Sequence, residues 1–80
     1  MPRYLLHHRH DPGECGVAFA SFAGHGSPLR HQTTVGSCHD GGHAIWWTVD
    51  ALSEAEALTL LPFFVAERTT ATRVRDVEIP

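Results

Sequence analysis

His43-Ala44-Ile45-Trp46-Trp47-Thr48-Val49 decides how this chain folds. Ile45, Thr48 and Val49 are β-branched, Trp46 and Trp47 are aromatic, and nothing in the run breaks a strand. Asp40-Gly41-Gly42, just before it, is a tight-turn signal. Ahead of the turn, Gln32 to His39 carries Thr33, Thr34 and Val35 and reads as the other arm of a hairpin. After the strand, Ser53 with Glu56 forms a capping box that opens a helix from Glu54 to about Glu67. Leu58, Leu61 and Val65 fall on one face of that helix, and Pro62 kinks it or starts a second turn.

Reading outward toward the N-terminus, Arg3 to His10 is a first strand. Asp11-Pro12 then starts a helix, with Asp11 as cap, Pro12 at the first helical position and Glu14 completing a capping-box pattern. Cys15, Ala18, Phe19 and Phe22 form its apolar stripe, and Gly24, Gly26 and Pro28 end it. Toward the C-terminus, Thr70 to Ile79 alternates as a last strand. The order βαββαβ predicts a single α+β domain over residues 1–80. It is ferredoxin-like, a four-stranded antiparallel sheet with two helices on one face. Neighbours on a strand point to opposite faces, so one of Trp46 and Trp47 must project from the uncovered side. An exposed aromatic sheet face predicts a homodimer packed through it.

A domain of 80 residues buries only about 60% or a little more of its unfolded surface. Small domains recover stability through disulfides, metals or association. The 42% hydrophobic and 19% charged content is that of a globular chain. The net charge of −3, with arginine but no lysine, speaks against a nucleic-acid surface. Two cysteines are too few for a disulfide scaffold, and free thiols in a reducing cytosol are the expectation. No apolar run approaches a membrane span, and no signal-peptide core follows Met1. The expected setting is cytoplasmic.

Ala44-Ile45-Trp46-Trp47-Thr48-Val49-Asp50-Ala51, followed by Ser53-Glu54-Ala55-Glu56-Ala57-Leu58, resembles the strand-to-helix passage of the small dimeric α+β barrel superfamily. That superfamily includes muconolactone isomerase-like proteins and cofactor-independent quinol monooxygenases. Tyr4-Leu5-Leu6-His7-His8 is similar to the opening of small actinobacterial nickel-binding proteins of this fold. The resemblance implies a ferredoxin-like dimer. It also implies either a bound metal or cofactor-free chemistry on an aromatic or polyketide-like substrate.

Seven of the residues are histidine. Residues two apart on a strand share a face, so His8 and His10 project together while His7 and Arg9 face the other way. Two imidazoles on one face are half of a site for a borderline metal, nickel or zinc before others. The hairpin offers Cys38, His39, Asp40 and His43 for the remainder. The expected ligand set is His8 and His10 with His39 or His43, and no organic cofactor. Against it stands the ordinary tendency of strand-end histidines to be solvated, in a chain that has no lysine to fill its surface.

Phe19, Phe22, Trp46, Trp47 and Phe64 are candidates for an apolar ligand pocket, with His7 or His8 at its mouth as general base. They equally suit plain core packing. Cys38 with His43 is a remoter nucleophile pair, and an inert buried thiol is the simpler reading. Arg73 and Arg75 share a face of the last strand, where they can grip a carboxylate or keep a sheet edge from aggregating. Three functional classes result: a metal-binding dimer, a cofactor-free isomerase, cyclase or monooxygenase, and a structural or regulatory dimer without a ligand.

Overall fold

A computed structural model describes residues 1–80. The strands are β1 (Arg3–Arg9), β2 (Val35–Gly36), β3 (Ala44–Asp50) and β4 (Thr69–Val74). The helices are α1 (Cys15–Ala20), α2 (Glu54–Leu58) and α3 (Phe63–Ala66). The architecture is α+β around one open antiparallel sheet of order β2-β3-β1-β4. β1 is central, and its register sets Leu6 opposite Trp47, His7 opposite Trp46 and His8 opposite Ile45.

That register sorts the side chains by face. Tyr4, Leu6, Ile45, Trp47 and Val49 are buried on one side, under Ala51, Ala57, Leu61 and Val65. On this face Phe22 brings the end of the α1 segment against Trp47, with ring centroids 6.1 Å apart. His7 and Trp46 stand on the other face, stacked 5.1 Å apart and 4° from parallel. Trp46 is therefore the tryptophan of the uncovered side.

The elements differ from the expectation in length, each for a local reason. The first helix begins with a 3-10 turn at Pro12–Glu14, where the Asp11 N–H donates to Glu14 Oε1 at 2.9 Å. The expected 54–67 helix is two short ones, because Pro62 takes an extended ψ of 152° and restarts the chain. Ser53 caps α2 as its sequence predicts, accepting the Glu56 N–H at 3.1 Å. β4 stops at Val74 because that residue pairs with Arg3, the first residue of β1, and beyond it no partner strand remains.

The hairpin departs most. β2 is only two residues long, and Cys38–Asp40 forms a 3-10 turn instead of continuing the strand. Gly41 follows at φ 84°, in the left-handed region that glycine enters freely. A Cβ on Gly42 would lie 2.8 Å from that of Ser37, so only glycine lets the loop close there. Ser37 holds the base of the loop by accepting the Ala44 N–H at 3.1 Å.

Candidate metal centre

Three segments meet at the end of the sheet where β1 leaves it. β1 delivers His10, whose N–H donates to the His43 carbonyl at 3.1 Å. The 3-10 turn at Pro12–Glu14 delivers Cys15 as the first residue of α1. The reshaped hairpin delivers Cys38 and His43 from its two ends. One ligand atom from each of His10, Cys15, Cys38 and His43 falls in a group whose members all lie within 4.8 Å of one another.

The individual spacings come close to what one shared ion would require. His10 Nε2 is 3.2 Å from Cys15 Sγ and 3.4 Å from Cys38 Sγ. Cys15 Sγ is 3.1 Å from His43 Nδ1. A tetrahedral zinc ion, with Zn–S near 2.3 Å and Zn–N near 2.0 Å, separates a sulfur and a nitrogen ligand by about 3.5 Å. The thiols need no other partner to explain their placement. Both are free and half-buried. Burial, then the neighbouring Cys15, push the Cys38 thiol above its ordinary pKa, as expected of two sulfurs sharing a small space without a cation.

Behind the cluster lies a buried relay. His10 turns Nε2 toward the thiols and Nδ1 toward His8 Nε2, 2.9 Å away. His8 Nδ1 is 3.3 Å from the Val65 carbonyl oxygen and 3.3 Å from Thr69 Oγ1. One set of tautomers satisfies the chain: His10 Nδ1–H donates to His8, and His8 Nδ1–H donates to Val65 O. This leaves the His10 Nε2 lone pair aimed at the cluster. Burial first, and then His10, hold the His8 pKa below its ordinary value, which keeps the ring neutral as the relay needs. Metal-ligating histidines are commonly fixed through their second nitrogen in this way.

His43 has φ 52°, a left-handed conformation unusual for a residue with a side chain. Such strain costs on the order of 1 kcal/mol and concentrates at functional positions. Here it turns the imidazole from the start of β3 back toward Cys15.

The structure distributes the expected site residues as follows. His10 and His43 come together. His8 shares their face but sits behind His10, fully buried, with both ring nitrogens engaged by protein groups. His39 is exposed on the 3-10 turn and outside the group, because that turn sends it away from its neighbour Cys38. The other two members of the group are Cys38, which the hairpin offered as a ligand but the expected set left out, and Cys15, read as part of an apolar stripe. Cys15 is the residue least visible beforehand: as the first member of an apolar helical stripe it looks like packing, and only its five-residue spacing from His10 hints otherwise.

The aromatic candidates divide between three places. Phe19, Phe22 and Trp47 line an open cleft of about 350 Å³, with Leu29, Ile45, Arg30 and His31 among the other walls. Trp46 lies across the sheet, and Phe64 packs under the Arg68 guanidinium, 3.8 Å from its ring centroid. Neither His7 nor His8 lines the cleft, so the expected base is not at its mouth. No helix is long and apolar enough to cross a membrane. Comparison with protein-family models, with curated proteins and with solved structures gives no match to this chain, so the functional reading is carried by the geometry of this site.

Proposed function

We propose that this chain is a small binding protein for one transition-metal ion, held by His10, Cys15, Cys38 and His43. The observation that carries this reading is the convergence of two imidazole nitrogens and two sulfurs within 4.8 Å. Four protein ligands of this type suit a closed tetrahedral site and favour zinc; nickel, the other candidate, is less at home among two thiolates in that geometry. The strand order β2-β3-β1-β4 supports a ferredoxin-like split βαβ unit as the frame.

Elemental analysis of the protein purified without an affinity tag tests the reading. One zinc per chain is the expected result, lost in Cys15→Ser and Cys38→Ser and retained in His39→Ala. Cobalt substitution should give a tetrahedral spectrum with thiolate charge-transfer bands. Absence of stoichiometric metal, with no thermal shift on adding Zn²⁺ or Ni²⁺, would remove it.

The uncovered sheet face supports a homodimer as the second part of the proposal. Leu5, His7 and Trp46 are only partly covered there, and Val35, opposite Trp46, is 69% exposed. Sedimentation should report two chains for the native protein and one for Trp46→Glu; a native monomer at all concentrations would refute this part.

A further inference from the structure

The two corners that the cysteines supply can also react with each other. Cys15 and Cys38 are the only cysteines of the chain. Their sulfurs lie within 4.8 Å, both are free, and both are half-buried rather than sealed in the core. Closing that distance to a disulfide bond of about 2.05 Å asks for movement of one or both segments. Both segments lie at the margin of the core: neither the 3-10 turn before Cys15 nor the one that begins at Cys38 contains a buried residue, and Cys38 touches the core only as a half-buried neighbour.

We propose that Cys15 and Cys38 form a peroxide-oxidisable dithiol whose disulfide form cannot hold the ion. The second half of this statement rests on the metal-binding reading; the first half does not. One thiolate attacks a peroxide oxygen, the O–O bond breaks, and the sulfur becomes a sulfenic acid as hydroxide leaves. The other sulfur then attacks it, the S–O bond breaks, and a second hydroxide leaves, taking up a proton to become water. Two thiols and one hydrogen peroxide thus give one disulfide and two waters. From the loaded state, the two thiolates supply the two electrons, and the ion departs with only His10 and His43 left to hold it. Two neutral imidazoles are half of the donor set and carry none of its negative charge. The same four residues would therefore bind metal under reducing conditions and surrender it to peroxide.

Two measurements on the full chain test this separately. Reduced metal-free protein is exposed to one equivalent of hydrogen peroxide and examined by intact mass and thiol alkylation. The expected product is a monomeric chain lighter by two hydrogens, with no alkylatable thiol and with both thiols restored by reductant. Oxygen adducts on individual cysteines, cross-linking between chains or surviving free thiols would overturn the dithiol. Zinc-loaded protein is then titrated with peroxide beside a chromogenic chelator, and one zinc should appear per peroxide consumed. An oxidised chain that keeps its zinc would overturn the coupling. Should the protein take up no zinc at all, the metal-binding reading and the coupling fall together, and the measurement on metal-free protein still decides the dithiol. Cys38→Ser provides the contrast, since its remaining thiol can gain oxygen but cannot form the internal bond.

Discussion

At the scale of single residues, His8 separates two roles that sequence spacing cannot distinguish. It alternates with His10 on β1, so both point the same way, and from spacing alone both are candidate ligands. The difference lies in depth. His8 stands over α3 and β4 with its nitrogens on Val65, Thr69 and His10, while His10 sits one step beyond the sheet, where Cys15 and His43 can reach it. Replacing His8 with Leu should keep all four ligands yet weaken zinc binding by roughly 10- to 100-fold, the usual effect of losing an outer-shell partner. A chelator competition reads the affinity, and an unchanged cobalt spectrum shows that the ligand set survives. Loss of the tetrahedral spectrum would instead make His8 a ligand. His8 also predicts a pH dependence for the metal-free protein. Its folded-state pKa is lowered, so the unfolded chain takes up a proton that the folded chain resists. The stability this confers is complete above the ordinary imidazole value of 6.5 and is lost as pH falls from there through the lower folded-state value. Urea melts between pH 8 and 5 should show the decline, and His8→Gln should flatten it.

At the scale of elements, the sequence speaks clearly wherever local chemistry decides the backbone. The strand at Ala44–Asp50, the Ser53 cap and the break at Pro62 were all legible, because each rests on residues within one or two turns of one another. The pairing of β1 with β3 followed from element order. The end of the hairpin was not legible. Asp40-Gly41-Gly42 signals a tight turn, but the chain makes a longer one that gives up strand pairing at Cys38 and accepts a left-handed His43. Contacts with Cys15 and His10, distant in sequence, support that exchange, and no local pattern reports them. The helix α1 is similar: six residues with Ala18 as its one buried member, so its own packing is slight. Removing the metal should therefore loosen α1 and the 38–43 loop before anything else. Hydrogen exchange should rise selectively in those two segments on chelation, while β1 and β3 stay protected. Uniform deprotection across the sheet would contradict this. Gly42→Ala should loosen the same loop even with zinc present, because its methyl group meets Ser37.

For the whole molecule the question is how a chain with 14 buried residues of 80 stays folded. The core runs from Tyr4 to Val65 as one cluster, with Leu6 and Val65 fully enclosed, yet it covers a single face of the sheet. Domains of this size are commonly stable by only about 5 kcal/mol or little more. An ion bound only by the folded state and present at about a thousand times its dissociation constant adds about 4 kcal/mol. That is comparable to the whole margin. For a domain of this length each kcal/mol moves the melting temperature by about 4–8 °C, so chelation should lower it by at least about 15 °C. Leu6→Ala removes a fully buried side chain at a cost of about 2–5 kcal/mol. The two effects arise in different places, the apolar face and the end of the sheet, and so should add. Leu6→Ala should then be well folded with zinc and only marginally folded without it, whereas the unsubstituted chain is folded in both conditions. Circular dichroism of both proteins, with and without chelator, checks this. A Leu6→Ala chain that melts at the same temperature in both conditions would mean that the ion contributes nothing to the fold, and that the cluster serves only to carry it.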